Sequence, residues 1–137
     1  MPAASVTRTL GVPATDLWNL LADFGTCNWM PDGTEISVEG DGVGMTRIMG
    51  GVIREQLEAL DPDNRTLVYK IHDEGAPFPA TGYIATVSVN EAGDGAQLTW
   101  SCDATPTEGT TPEQLKASIE GLYGLMIGWI EDELATA

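Results

Sequence analysis

The chain has 137 residues, 42% of them hydrophobic, and its 21 acidic against 6 basic side chains give a formal net charge of −15. This length predicts one domain, residues 1–137, with an ordinary core. The charge disfavours nucleic acids and anionic membrane surfaces as partners. We interpret it mainly as a solubility effect or an adaptation to salt. There is no run of about 18 apolar residues that would span a membrane, and residues 1–11 have no apolar signal core, so we expect a cytoplasmic protein.

The first elements are a strand and a short helix. Residues 5–12 alternate in the manner of a strand. Apolar residues from Leu17 to Phe24 then recur at helical spacing. Pro13 suits the first helical turn, and Gly25 is expected to end the helix.

From residue 34 the apolar residues alternate with a period of two, which predicts strands separated by glycine-rich or aspartate-rich turns. The predicted strands are 34–39, 45–49, 52–60, 66–71, 82–89 and 96–102. Together with the first strand they predict an antiparallel sheet with one apolar and one polar face.

A long amphipathic helix is predicted at the C-terminus. Thr111–Gln114 has the form of a capping box with proline at the first helical position. Apolar residues from Leu115 to Ile130 recur every three or four residues, which extends the helix to about Leu134. Only this helix is long enough to cover the apolar face of the sheet, and a gap between them would form a ligand cavity.

Several segments together carry a family resemblance. They are PATDLWNLLADF (13–24), WMP (29–31), Gly44–Arg47, IREQLEALDPDNRTLVYKI (53–71), Pro79 with Tyr83–Thr86, and Trp100. The chain resembles the helix-grip superfamily, which includes START-like lipid-transfer domains, birch-pollen-type allergens and the polyketide cyclase/dehydrase group. The resemblance implies an α+β fold in which a curved antiparallel sheet of six to seven strands wraps around the C-terminal helix. Members carry lipids, bind hormones or sterols, catalyse cyclisations or dehydrations, or act as co-chaperone modules.

Glu55 is the candidate catalytic residue. The alternation places it on the same face as Ile53 and Leu57. An apolar cavity disfavours the charged form of a carboxylate, which suits a general acid or base, and the resemblance also favours an acidic residue here. The alternatives are a glutamate that reaches solvent at the cavity mouth, or one paired with an arginine.

The partner of Glu55 depends on the hairpin register. A two-residue turn at Gly50–Gly51 places Thr46 opposite Glu55 and Arg47 opposite Arg54, whereas a bulge at the glycines places Arg47 beside Glu55. An ion pair would hold Glu55 ionised and weaken the general-base hypothesis. The sequence leaves both registers open.

Aromatic residues on the inferred inner faces predict the rest of a ligand site, with an ordinary packed core as the alternative. Besides Glu55, the predicted ligand-contacting residues are Trp29, Tyr69, Tyr83, Trp100, Tyr123 and Met126. In the resembling family the segment around Trp29 lies near the open end of the cavity. We therefore expect Trp29 at the pocket or its rim, and Trp29→Ala to weaken ligand binding more than stability.

Other motifs predict no chemistry. Cys27 and Cys102 are expected to be small buried thiols. His72 and its acidic neighbours lack metal-ligand spacing, and Gly40–Gly44 is a hairpin turn without a following helix to hold phosphate. We therefore expect no metal and no cofactor.

We expect the chain to be a monomer or a homodimer. Three functions remain open for it. The leading hypothesis is binding or transport of a hydrophobic or aromatic small molecule. The second is a polyketide cyclase-like or dehydratase-like enzyme that uses Glu55, in which case Glu55→Gln should abolish turnover but retain ligand affinity. The third is a protein-interaction module, similar to a co-chaperone, that acts through its acidic surface.

Overall fold

One antiparallel sheet and two helices make up residues 2–136, the part of the chain that the computed structural model describes. The elements in chain order are β1 (Ala4–Leu10), α1 (Ala14–Ala22), β2 (Ile36–Glu39), β3 (Thr46–Met49), β4 (Ile53–Asp61), β5 (Thr66–Ile71), β6 (Ala80–Ala92), β7 (Gly95–Pro106) and α2 (Pro112–Thr136). This is the predicted α+β helix-grip fold, and β1 and α1 each end two residues earlier than predicted.

The seven strands pair in the order β1-β7-β6-β5-β4-β3-β2, and every pairing is antiparallel. The predicted alternation is confirmed on β5, where Leu67, Tyr69 and Ile71 are buried and the residues between them are partly exposed. β6 and β7 extend beyond their predicted bounds of 82–89 and 96–102, because they remain paired from Ala92 opposite Gly95 to Ala80 opposite Pro106.

Two bulges bend the sheet. The register shifts on β4 between Leu57 and Ala59, and on β6 between Thr81 and Ile84. A bulge adds an unpaired residue, bends its strand and increases the local twist. On β6 the residues at 81 and 82 both lie on the exposed side, so that Ala80 and Tyr83 are both buried. The bulge therefore accommodates the extra residue and keeps both Ala80 and Tyr83 on the inner face.

The long helix α2 covers the concave face of the sheet. Its capping box is formed as predicted: the Gln114 N–H donates to Thr111 Oγ1 at 3.1 Å, and the Thr111 N–H donates to Gln114 Oε1 at 2.9 Å. Its inner residues are nearly fully buried, including Leu115, Ile119 and Ile130. Neither helix within residues 2–136 has the length and apolar character needed to cross a membrane.

The loop between β5 and β6 approaches the β3–β4 loop closely at Gly75. This residue has φ +81°, and a Cβ placed on it would lie 2.4 Å from the carbonyl oxygen of Val52. Any side chain here therefore needs both a strained backbone and a separation of the two loops.

We expect Gly75→Ala to lower the free energy of unfolding by more than the roughly 1–2 kcal/mol that a left-handed alanine costs. Gly109→Ala is the matched control, because Gly109 has φ +88° and an added Cβ meets no atom within 4 Å. Urea unfolding of both variants measures the difference. Equal losses in the two variants would contradict a tight contact between the loops.

Candidate functional site

A cavity of about 440 Å³ lies between the concave sheet and α2. Its wall is largely apolar, with contributions from strands, loops and helix that include Ile53, Ile71, Phe78, Leu122 and Met126. Exposed residues of three loops, Pro31, Val52 and Pro77, also line it and mark where it opens to solvent. The predicted gap between sheet and helix is therefore present.

Glu55 contributes a carboxylate to this apolar wall, and Arg47 pairs with it. The loop 50–52 has three residues, because Met49 pairs with Ile53 and Arg47 then lies opposite Glu55. Both glycines of the loop have positive φ. The structure thus selects the second of the two registers that the sequence left open. Arg47 Nε donates to Glu55 Oε1 at 2.5 Å, and both side chains are about 95% buried.

Arg47 lies behind Glu55 and does not itself line the cavity. Its Nη1 donates to the carbonyl oxygen of Phe24 at 3.0 Å and to Cys27 Sγ at 3.1 Å, and its guanidinium stacks 3.8 Å from the centre of the Phe24 ring. Burial has the largest single effect and lowers the pKa of Arg47, but Glu55, Cys27 and Tyr69 together raise that pKa above its usual value. Burial raises the pKa of the Cys27 thiol despite the nearby guanidinium.

We expect Arg47→Met to lower the free energy of unfolding by about 3–5 kcal/mol, because it leaves the Glu55 carboxylate buried without its partner. The double variant Arg47→Met/Glu55→Leu removes both charges and should be considerably more stable than the single variant. Chemical denaturation of the double variant and of the two single variants, Arg47→Met and Glu55→Leu, tests this. A double variant that loses as much as the sum of the two single changes would contradict coupling between the charges.

A chain of buried hydrogen bonds crosses the sheet beside the cavity and reaches α2. The indole N–H of Trp100 donates to the Tyr69 hydroxyl at 3.0 Å, and Tyr69 and Tyr83 share a hydrogen bond of 3.3 Å. Tyr83 bonds in turn to the hydroxyl of Tyr123. Burial raises the pKa of all three tyrosine hydroxyls above the usual value.

These three tyrosines are all the tyrosines in the chain, so their titration can be followed without background. An unfolded tyrosine loses its proton near pH 10, whereas the folded protein keeps these protons. Above about pH 10 the unfolded state therefore binds fewer protons, and the free energy of unfolding falls as pH rises. We expect phenolate absorbance to rise only together with the loss of the native circular dichroism signal.

N-acetyltyrosinamide, titrated in parallel, provides the reference for an exposed phenol. A reversible rise in phenolate absorbance near pH 10, with native circular dichroism retained, would contradict the burial of these hydroxyls.

Five of the seven predicted ligand-contacting residues line the cavity together: Glu55, Tyr69, Tyr83, Tyr123 and Met126. Trp100 does not line it. Its ring packs against Tyr123 at 5.3 Å between centroids and edge-on against Tyr69 at 6.4 Å, which makes it a support behind the wall.

Trp29, which was expected at the pocket or its rim, is not among the residues that line this cavity. Trp29 is 4% exposed and packs edge-on against Trp100, at 6.4 Å between ring centroids, on the core side of the wall. The chain turns at Cys27, which has φ +48°, and the N–H of Met30 donates to the Cys27 carbonyl oxygen at 3.1 Å. Met30 and Pro31 line the cavity from this segment, and the stronger effect of Trp29→Ala on ligand binding than on stability stays a prediction.

Sequence reasoning missed part of the wall. Phe78 comes from the predicted loop and stacks on Tyr83 at 5.7 Å with an interplanar angle of 26°; no periodicity marks it. Trp129 lies on α2, and its spacing of three residues from Met126 was a detectable helical signal.

The histidine and its acidic neighbours do not converge. His72 Nε2 bonds to Gln56 Oε1 at 3.2 Å, and Asp73 Oδ1 instead accepts the N–H of Gly82 at 2.8 Å. Among residues 2–136 no group of three or more His, Cys, Asp or Glu side chains is placed to hold a metal ion.

Comparison with known proteins places the chain in a family. The family model for polyketide cyclase/dehydrase and lipid transport matches residues 1–133, so the chain belongs to this family. A comparison with curated protein sequences gives no match.

Solved structures are similar over nearly the whole chain. A protein from Nitrosospira multiformis has a TM-score of 0.82 at 16% identity, covering 96% of this chain and 94% of its own. A protein from Thermobifida fusca has a TM-score of 0.81 at 22% identity, covering 97% of this chain and 93% of its own. Ara h 8.0201 has a TM-score of 0.75 at 18% identity and covers 97% of both chains. At these identities the likeness shows the fold.

Proposed function

We propose that the protein binds or transports a small hydrophobic or aromatic molecule in the cavity between the sheet and α2. The observation that carries this proposal is the cavity itself, about 440 Å³ with a largely apolar wall. This volume lies in the usual range of small-molecule sites, roughly 300–1,000 Å³, and such sites combine an apolar wall with a few polar groups that fix orientation. Membership of a family described in part by lipid transport supports the same function.

The cyclase-like or dehydratase-like alternative is supported by one observation, a carboxylate in the same wall as three tyrosine hydroxyls. The surroundings of Glu55 argue against it as a general acid. Its carboxylate oxygen Oε1 accepts a hydrogen bond from Arg47 Nε, so Glu55 is engaged as the acceptor of an ion pair. The protein-interaction alternative makes no use of the cavity. Cytoplasmic location, the absence of nucleic-acid partners and a monomeric or dimeric state remain predictions.

The binding function can be tested with the neutral apolar dye N-phenylnaphthylamine, whose fluorescence rises in an apolar environment. We expect the dye to bind the wild-type protein and Met126→Trp to weaken that binding at least tenfold, because the indole would occupy space that Met126 leaves open in the cavity. Leu125→Trp is the matched control: the adjacent side chain on α2 is 53% exposed and does not line the cavity.

Dye that fails to bind the wild type, or that binds Met126→Trp as well as Leu125→Trp, would contradict the proposed site. Native mass spectrometry of the purified protein provides the route to the natural ligand, since a co-purifying molecule would be detected by its mass.

A further inference from the structure

We propose that the cavity selects neutral ligands with a hydrogen-bond donor, such as alcohols or phenols, and discriminates against carboxylates of the same carbon skeleton. The inference rests on the ligand-binding function proposed above and adds the chemical class of the ligand. It follows from the buried polar groups of the cavity wall, which offer ligands more acceptors than donors.

The first of these groups is the Glu55 carboxylate, the one charged side chain among the described residues that line the cavity. An ionised carboxylate is only an acceptor, with about four acceptor positions on its two oxygens. Arg47 Nε donates to Oε1, which leaves acceptor capacity on the carboxylate. Glu55 is therefore placed to accept a hydrogen bond from a ligand and not to donate one.

Most of the tyrosine hydroxyl protons are engaged as well. An indole N–H can only donate, so the Tyr69 hydroxyl accepts from Trp100. Tyr69 and Tyr83 share one hydrogen bond, and Tyr83 and Tyr123 share another, with either hydroxyl of each pair as the donor. These two bonds use two of the three hydroxyl protons, so at most one of these protons is left for a ligand.

The donors closest to these groups are also occupied. Arg47 Nη1 donates to the Phe24 carbonyl oxygen and to Cys27 Sγ, on the side away from the lining. At the mouth, the hydroxyl of Thr34 donates to the carbonyl oxygen of Pro31 at 2.7 Å. The indole N–H of Trp129 is a further donor in the lining, on a side chain that is partly exposed, whereas Glu55 and the tyrosines are nearly fully buried.

Three classes of ligand head group are distinguished by this wall. An alcohol or phenol donates to an acceptor and remains neutral. A carboxylate loses its hydration in an apolar space and meets the like charge of Glu55. An ammonium group gains little, because Arg47 already balances Glu55 and the added cation would be a net buried charge. An alcohol can donate a hydrogen bond to a charged acceptor, whereas an ether of equal length cannot.

The test uses decanol, methyl decyl ether and decanoate at neutral pH, each competing with N-phenylnaphthylamine on the full chain. We expect decanol to bind the wild type at least tenfold more tightly than either of the other two. Glu55→Gln supplies a donor as well as an acceptor, so it should reduce this preference to about threefold or less. Glu58→Gln is the matched control: it removes one negative charge from an exposed position on the same strand and should leave the preference at its wild-type value.

Glu55→Gln leaves Arg47 without its partner, so the double variant Arg47→Met/Glu55→Leu is measured as well. It carries no acceptor at position 55, and the preference for decanol should again be lost.

The proposal is overturned if decanoate or the ether binds the wild type as tightly as decanol does. It is also overturned if the preference for decanol persists in the variants of Glu55. Both of these outcomes leave dye binding intact and are thereby distinct from failure of the binding function, in which the dye itself does not bind.

Discussion

The ion pair between Arg47 and Glu55 is the interaction on which the architecture of the cavity depends. Neither charge is stable in this buried position without the other, so the pair requires the three-residue loop that places the two residues opposite each other. The remaining contacts of the guanidinium are a carbonyl oxygen and an aromatic ring of Phe24, just after α1. Arg47 thereby connects the β3–β4 hairpin, the segment after α1 and the Glu55 carboxylate in the cavity wall.

Local periodicity was enough to predict most of the fold, because burial on one face imposes a period of two on a strand and of 3.6 on a helix. The same rule placed Glu55, Tyr69 and Tyr83 on the inner face, and all three line the cavity. It could not determine the hairpin register, which depends on the loop conformation of the glycines after β3. Periodicity also gives no placement for Trp29, whose expected position came from the resemblance, because the direction of a side chain in a loop depends on backbone angles such as the positive φ of Cys27.

The cavity wall combines two kinds of surface with different physical origins. The apolar part comes from side chains that the sheet and α2 would bury in any case, and it provides affinity without orientation. The polar part is concentrated in an ion pair and a chain of hydroxyls, which hold their positions through bonds to each other and to the backbone. Such preorganised groups lose little freedom when a ligand arrives, so they contribute orientation at low entropic cost.

The bulge on β6 constrains the length of this strand as well as its composition. Ala80 and Tyr83 are both inward-facing only because the two residues between them share the outer side. Strict alternation over the same number of residues would leave the inner face with only one of the two, whereas deletion of one intervening residue would remove the bulge and keep both inside. A homologous chain that keeps both contacts therefore has either two residues here with a bulge or one residue without it, and the identities of the outward residues are free to change wherever the backbone angles permit.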